Sequence, residues 1–213
     1  MRNVSLLLCM LVSLVLTACS SSDDYLEAYR HDFGTLQTAP DGTAQTFRTD
    51  GGLLFNVEEG NKVAQRDTLL RVRTFYVPVS PTAIRIASLA TMLLLEPRPM
   101  KAENFRADPL RLNACWTGGG YVNLHLDVPT ANNTATHYFA MDERGFVSNA
   151  AGGQTLQLRL YHDAHGDGNA WHRETFLSCN LAPYHSLLLP GRDSIEVNVQ
   201  TEKGLTTTTL AFP

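Results

Sequence analysis

Positive charge is scarce in this chain of 213 residues, in which 17 lysines and arginines face 21 aspartates and glutamates, for a net charge of −4 at pH 7. Lysine occurs at only three positions, Lys62, Lys101 and Lys203. No cluster of lysine and arginine forms the basic face that nucleic-acid-binding proteins present to phosphates. Nucleic acid is therefore not expected as a partner.

Catalytic signatures are also missing. The sequence has no Gly-x-Ser-x-Gly elbow, no His-Glu-x-x-His pair and no glycine-rich phosphate loop that opens a helix. Its one glycine triplet, Gly118-Gly119-Gly120, stands between two predicted strands and is interpreted as a turn. We therefore predict no catalytic residue, no cofactor and no enzymatic activity.

Cysteine is limited to four residues, Cys9, Cys19, Cys115 and Cys179. The first two lie close to the N-terminus, which leaves Cys115 and Cys179 for the body of the protein. An oxidising compartment would permit a disulfide between them. The alternative is two separate thiols that are buried as small apolar side chains.

Long apolar runs are limited to the N-terminus, where 13 residues from Val4 to Leu16 follow the single positive charge of Arg2. A helix of that length spans about 20 Å, which is less than the ~30 Å hydrocarbon core of a bilayer. A cleaved targeting segment fits this pattern better than a transmembrane anchor.

The order Leu16-Thr17-Ala18-Cys19 ends that run and resembles the bacterial lipobox. The resemblance implies a signal peptide over residues 1–18 and a diacylglycerol on the thiol of Cys19, so that the mature chain is attached to a membrane. An ordinary signal peptide with a chance cysteine is the alternative. Residues 19–25 are predicted to be a flexible tether, and their Ser-Ser-Ser-Asp-Asp segment resembles the acidic tract of surface-exported Bacteroidetes lipoproteins.

Downstream of the tether, short stretches of alternating apolar and polar residues are separated by turn residues. Five such stretches within 26–96 predict a small closed barrel of the OB type, although the leucines and alanines of 84–95 would also suit a helix. Two prolines predict an extended linker over 97–103. The remaining pattern, over 104–213, predicts an antiparallel β-sandwich. The predicted fold class is therefore all-β.

Three stretches carry a resemblance to the NigD-like lipoproteins of Bacteroidetes: Trp116-Thr-Gly-Gly-Gly-Tyr-Val-Asn-Leu124, Leu158-Arg-Leu-Tyr-His162 with the Ala164 and Gly166-Asp167 that follow, and Asp193-Ser-Ile-Glu-Val197. The resemblance implies an OB-like barrel followed by a β-sandwich, behind a lipoprotein signal. The family has no established enzymatic activity, so no catalytic residue is implied for this chain.

The segment 162–174 is the one candidate for a metal site. Asp163, Asp167, Gly168 and Glu174 have the spacing of an EF-hand loop, but a histidine stands at its third position and its flanks are predicted strands. His162, His165 and His172 could instead serve as zinc ligands. A polar hairpin loop needs the same aspartates and glycines for its own turn, so no metal ligand is assigned.

These observations predict a lipid-anchored lipoprotein of the outer membrane, exposed to the periplasm or the cell surface, that is not an enzyme and binds a protein or glycan ligand, with a bacteriocin as one such protein. The alternative function is a calcium- or zinc-dependent module, or an enzyme, built on residues 162–174.

Overall fold

The computed structural model describes residues 29–58 and 61–213. The predicted signal peptide 1–18, the tether 19–25 and the lipid-bearing Cys19 lie outside the described residues. In the part that is described, no helix has the length and apolar character needed to cross a bilayer.

The described residues form fourteen β-strands and two single-turn 3₁₀ helices, Ala102–Asn104 and Ala182–Tyr184. The strands are β1 (Arg30–Thr38), β2 (Ala44–Thr49), β3 (Leu54–Val57), β4 (Leu69–Ser80), β5 (Ala83–Thr91), β6 (Leu93–Leu95), β7 (Pro97–Arg98), β8 (Arg111–Gly118), β9 (Tyr121–Thr130), β10 (Tyr138–Ser148), β11 (Gln154–Asp163), β12 (Trp171–Asn180), β13 (Ser194–Thr201) and β14 (Gly204–Ala211).

Strands β1 to β5 close into a barrel in the order β1-β2-β3-β5-β4. The pairs are antiparallel except for β3 with β5, which run parallel, as in a five-stranded OB-like barrel. Alternate residues of β4 point inward, so Val72 and Tyr76 join Leu36, Phe47 and Ile84 in the barrel core. The Tyr76 hydroxyl donates to Asp32 at 2.6 Å, and burial raises the pKa of Tyr76 to about 12.

The segment 84–95 is extended, and the helical alternative is wrong. It pairs with β4 along most of its length, from Ala83 with Ser80 to Thr91 with Val72. The pairing satisfies the main-chain groups of this segment and buries Ile84 and Ile86 in the barrel. Packing in the sheet therefore outweighs the weak helix propensity of its leucines and alanines.

The remaining strands build a sandwich of two sheets, ordered β14-β13-β11-β10-β7 and β6-β12-β9-β8. Most neighbours are antiparallel, and β7 with β10, β11 with β13 and β6 with β12 are parallel. The two sheets enclose one apolar core, to which β9 and β11 contribute every second residue, among them Leu124, Leu126, Leu156 and Leu158. The all-β prediction of a small barrel followed by a sandwich is confirmed.

The segment predicted as a linker, 97–103, takes part in the sandwich. Pro97 and Arg98 pair with Met141 and Asp142 of β10, and the Met100 amide donates to the Asp142 carboxylate at 2.8 Å. Residues 93–95 already pair with β12, so the sandwich begins before residue 96. A proline at the first position of a short edge strand removes no ladder hydrogen bond that the sheet needs, which is why the prolines do not keep this segment out of the sheet.

Barrel and sandwich are joined by the buried guanidinium of Arg71, whose side chain is 1% exposed. Both terminal nitrogens donate to the Asp50 carboxylate, one of them also donates to Asn123 Oδ1 at 2.9 Å, and Nε donates to Ser178 Oγ at 3.0 Å. The guanidinium also lies 4.4 Å from the ring centre of Tyr121. Asp50 belongs to the barrel and the other partners to the sandwich, so this one side chain ties the two units together.

The β8–β9 hairpin fits against the same carboxylate. Gly119 has a φ of +61°, which a tight hairpin requires, and a Cβ built there would stand 2.3 Å from Asp50 Oδ1. Next to this contact, Phe33 of the barrel packs on Trp116 and Phe176 of the sandwich, with ring centres 5.1 and 5.5 Å apart. The interface therefore combines one buried ion pair with an aromatic cluster.

Cys115 and Cys179 are free thiols. They lie on β8 and β12, which flank β9, and their register partners on β9 are Leu124 and Val122. Two strand spacings put the cysteines about 10 Å apart, beyond the reach of a disulfide. Burial raises the pKa of Cys115 to about 12 and also raises the pKa of Cys179.

Replacing Arg71 with leucine should lower the free energy of unfolding by about 3–5 kcal/mol, because the Asp50 carboxylate would remain in the interface without its cationic partner. Urea denaturation followed by circular dichroism measures this loss. The matched control is Lys62→Met, since Lys62 pairs with Asp41 on the surface and should leave stability nearly unchanged. Equal stability of R71L and wild type would contradict the role given to Arg71.

Both body thiols should resist an aromatic disulfide reagent in the native protein and react fully in guanidinium, since thiolate is the reactive form and burial disfavours it. The measurement is made on the double variant Cys9→Ser, Cys19→Ser, so that only the two body thiols are counted in the denatured state. Rapid native labelling of either one would contradict its placement.

Candidate functional site

The connection between β11 and β12 is a tight polar loop held by its own aspartates. The amide of His165 donates to Asp163 Oδ1 at 2.7 Å, and the amide of Asp167 donates to the Ala164 carbonyl at 2.9 Å. His165 and Gly166 have φ values of +51° and +78°, which the turn requires. Asp163 and Gly166 therefore serve the geometry of the turn.

Asp167 attaches this loop to the C-terminal end of β9. Its carboxylate accepts from the Thr130 hydroxyl, from the Ala131 amide at 3.3 Å and from the Gly168 amide at 2.8 Å, and its side chain is nearly buried. These donors, the Thr130 hydroxyl first among them, hold the pKa of Asp167 well below its usual range. A permanent negative charge thus lies at the base of the loop.

Two histidines stand in a row behind Asp167. His137 Nε2 lies 3.2 Å from Asp167 Oδ2, and His137 Nδ1 lies 2.9 Å from His162 Nε2. His162 Nδ1 lies 2.8 Å from the main-chain carbonyl oxygen of Asp108, and the ring of Phe139 stacks on that of His162 at 4.8 Å. Burial lowers the pKa of His162.

A cleft of about 400 Å³ opens beside this row. It lies between the loop, the end of β9 and the segment before β8, and it is lined by Asp108, Pro109, Pro129, His162, Ala164, Gly166, Asp167, Gly168, Asn169 and Glu202. Tyr138, which is half exposed, packs edge-on against His165 of the loop at 5.7 Å. The cleft thus combines carboxylates with main-chain groups and has an aromatic side chain close by.

The structure separates the residues that the EF-hand spacing grouped. Glu174 lies on β12, where it contacts His125 at 2.9 Å and Arg73 of the barrel at 3.2 Å. Asp163 and Asp167 are engaged by amides of the loop. The spacing reflects a hairpin connection and not a shared cation.

The three histidines considered for zinc are also apart. His162 joins His137, His165 packs against Tyr138, and His172 bonds Glu202 at 2.9 Å. Within residues 29–58 and 61–213, no group of three histidine, cysteine or carboxylate side chains is arranged to hold a metal ion.

Sequence reasoning missed His137, Asp108 and Thr130, which complete the cluster around His162 and Asp167. The β10–β11 register, in which Phe139 is opposite His162, brings His137 next to His162 across 25 residues of sequence. Asp108 reaches the cluster through a single bridge between Ala107 and His162. No local sequence motif predicts these contacts, because they depend on which strands pair and in which register.

The chain matches the family model described as the NigD-like C-terminal beta sandwich domain over residues 92–212. That match starts ahead of β6, in agreement with the strand pairing of the sandwich. No curated protein matches the chain significantly.

Solved structures have a similar fold over most of the chain. A NigD-like immunity protein from Bacteroides caccae is 25% identical, with a TM-score of 0.65 over 84% of this chain and 90% of that one. A candidate toxin-related protein from Parabacteroides distasonis is 17% identical, with a TM-score of 0.65 and coverages of 86% and 93%. A candidate lipoprotein from Bacteroides fragilis is 11% identical, with a TM-score of 0.59 and coverages of 86% and 99%. The last two likenesses concern the fold alone.

Proposed function

This chain belongs to the NigD-like family, and from that premise we propose that it is a non-enzymatic lipoprotein, anchored in the outer membrane through Cys19, that binds a protein ligand in the cleft beside the β11–β12 loop. The cleft is the observation that carries the binding part of this proposal. The anchor is supported by sequence, and the ligand class by a relative.

The anchor is supported by the order Leu16-Thr17-Ala18-Cys19 after a short apolar run. A fold shared with a candidate lipoprotein is consistent with it. More than one acyl chain is needed for lasting membrane attachment, since each buried methylene contributes ~0.8 kcal/mol. The outer membrane, as opposed to the inner one, is proposed from the acidic Asp23-Asp24 that follows the cysteine.

The ligand class is proposed from a relative of the same fold, which is described as a NigD-like immunity protein. For this chain we propose a protein toxin of the bacteriocin kind as the ligand. Carboxylates of Asp108 and Glu202 line the cleft, so a basic segment of the partner would be complementary to it.

A non-enzymatic role agrees with how the polar groups around the cleft are used. Both ring nitrogens of His162 have partners within the protein, and the carboxylate of Asp167 accepts from four residues. A general base or nucleophile needs a free lone pair directed at the substrate. In His162 and Asp167 these lone pairs are already engaged within the protein.

A glycan is the second candidate ligand. The half-exposed Tyr138, which packs against His165 of the loop, and the exposed Trp171, two residues after Asn169 of the cleft lining, offer aromatic faces next to the loop. Ligand sites commonly combine such aromatic surfaces with a few placed polar groups.

The anchor is tested by feeding cells an alkyne analogue of palmitate. Wild type should be labelled and sediment with membranes, whereas Cys19→Ser should be unlabelled. Cys115→Ser is the matched control and should keep the label. An unlabelled wild-type protein that washes freely from membranes would contradict the anchor.

The binding site is tested by placing a photo-crosslinking amino acid at Asn169, which is exposed at the cleft, in cells that carry the protein in its native compartment. One discrete adduct that protease digests is expected for a protein ligand, and one that a glycosidase alone removes would favour the glycan. The control position is Leu69, which is 63% exposed on the barrel. Identical adducts at both positions, or none at Asn169, would contradict the proposed site.

A further inference from the structure

The row Asp167–His137–His162–Asp108 begins and ends on groups that can only accept a hydrogen bond. At one end is the main-chain carbonyl oxygen of Asp108. At the other is the carboxylate of Asp167, which the Thr130 hydroxyl and the amides of Ala131 and Gly168 keep ionised. Three hydrogen bonds connect these ends through four ring nitrogens.

Three hydrogen bonds need three protons, and two neutral imidazoles carry only two. The carbonyl can be satisfied only by Nδ1–H of His162, which leaves His162 Nε2 as an acceptor when that ring is neutral. His137 must then donate from Nδ1 to His162 and from Nε2 to Asp167, so the extra proton resides on His137. If that proton is absent, two lone pairs face each other across 2.9 Å or one of the end bonds is lost.

We propose that the His137–His162 pair is a proton-binding site that takes up one proton and uses it to lock the β11–β12 loop at the edge of the cleft. The cation so formed is balanced by Asp167, and the side chain of His137 is fully buried. A second proton would place two cations face to face. Burial, which lowers the pKa of His162, acts in the same direction by keeping that ring neutral.

The charged surroundings agree with a single positive charge. Asp167 contacts the pair directly, Asp108 caps the amide of Ala164 at 2.7 Å, and Asp163 closes the turn. Glu202 lines the cleft and is paired with Arg111 at 2.8 Å and with His172 at 2.9 Å. Arg106 offers its carbonyl to the amide of His162, and its own charge acts on Asp163. The four neighbouring carboxylates outnumber these two arginines, so the site favours one added proton.

The direction of the pH effect follows from proton counting. Where the folded pair holds its shared proton and the unfolded chain does not, stability falls as the pH rises and that proton leaves. At low pH the lowered pKa of His162 decreases stability as the pH falls, because His162 is protonated more readily in the unfolded chain than in the folded protein. The site is therefore most stable between these limits.

The consequence for ligand binding rests on the cleft being the binding site proposed above, whereas the proton site does not. His162 and Asp167 are both members of the row and both line the cleft. Loss of the shared proton would loosen the loop that forms one wall. Ligand affinity would then decrease as pH rises.

Nitrogen-15 NMR of the histidine rings tests the proton count directly, on the mature chain without its lipid. At pH 6 we expect His137 protonated on both nitrogens and His162 neutral with its proton on Nδ1. As the pH rises to 9, His137 should lose one proton while amide exchange in residues 163–170, corrected for intrinsic rates, increases roughly tenfold, as the loss of one buried hydrogen bond implies.

The matched variants are His137→Gln, which cannot carry the charge, and His165→Asn, which removes an exposed histidine from the same loop and tolerates its positive φ. The exchange of the loop should lose its pH dependence in H137Q and keep it in H165N. Two neutral rings at pH 6 would overturn the proposal, and so would a wild-type loop whose amides exchange equally at pH 6 and pH 9. Both of these measurements are made on the wild-type protein, so they remain valid if H137Q fails to fold. Neither result depends on whether Asn169 crosslinks a ligand.

Discussion

The structure depends on how one buried cation is neutralised. Arg71 leaves the barrel on the outward face of β4 and ends among Asp50, Asn123 and Ser178, where its side chain is 1% exposed. Removing a charge from water costs more than the pairing returns unless every hydrogen bond is made. The position of the barrel on the sandwich is therefore restricted to the one in which these donors and acceptors meet.

That restriction explains the unusual burial of the β6-β12-β9-β8 sheet. Its inner face packs on the second sheet through Leu124 and Leu177, and its outer face lies under the barrel, so Asn123 and Ser178 are as inaccessible as the core leucines. The stretch from Trp116 to Leu124, on which the resemblance to the NigD-like family partly rests, supplies much of this contact through Trp116, Gly119, Tyr121 and Asn123. At this position the family motif is a domain junction, and no chemistry is needed to account for its residues.

In the cluster at the cleft a buried charge is again stabilised by a complete set of hydrogen bonds, but here the charge is negative. Here the buried charge is the carboxylate of Asp167, and its partners are a hydroxyl, two amides and a histidine. The junction is permanent because arginine does not titrate, whereas histidine changes charge within the physiological range. A fold that many functions can share thus acquires one adjustable feature, at the edge of its open cleft.

The sequence by itself determined the all-β class and the barrel followed by the sandwich, because alternation of apolar side chains and turn residues are local properties that survive in any tertiary context. The family was indicated separately, by the resemblance of three stretches between Trp116 and Val197 to the NigD-like lipoproteins. It also contains the Cys19 motif, which stays a prediction. Only the tertiary structure decided that residues 93–98 pair within the sandwich, that Cys115 and Cys179 stand on either side of a strand, and that Arg71 is buried. It likewise grouped His162 with His137 and not with His165 or His172. These outcomes depend on strand order and register, which join residues 25 to 107 positions apart, and no local pattern encodes such distances.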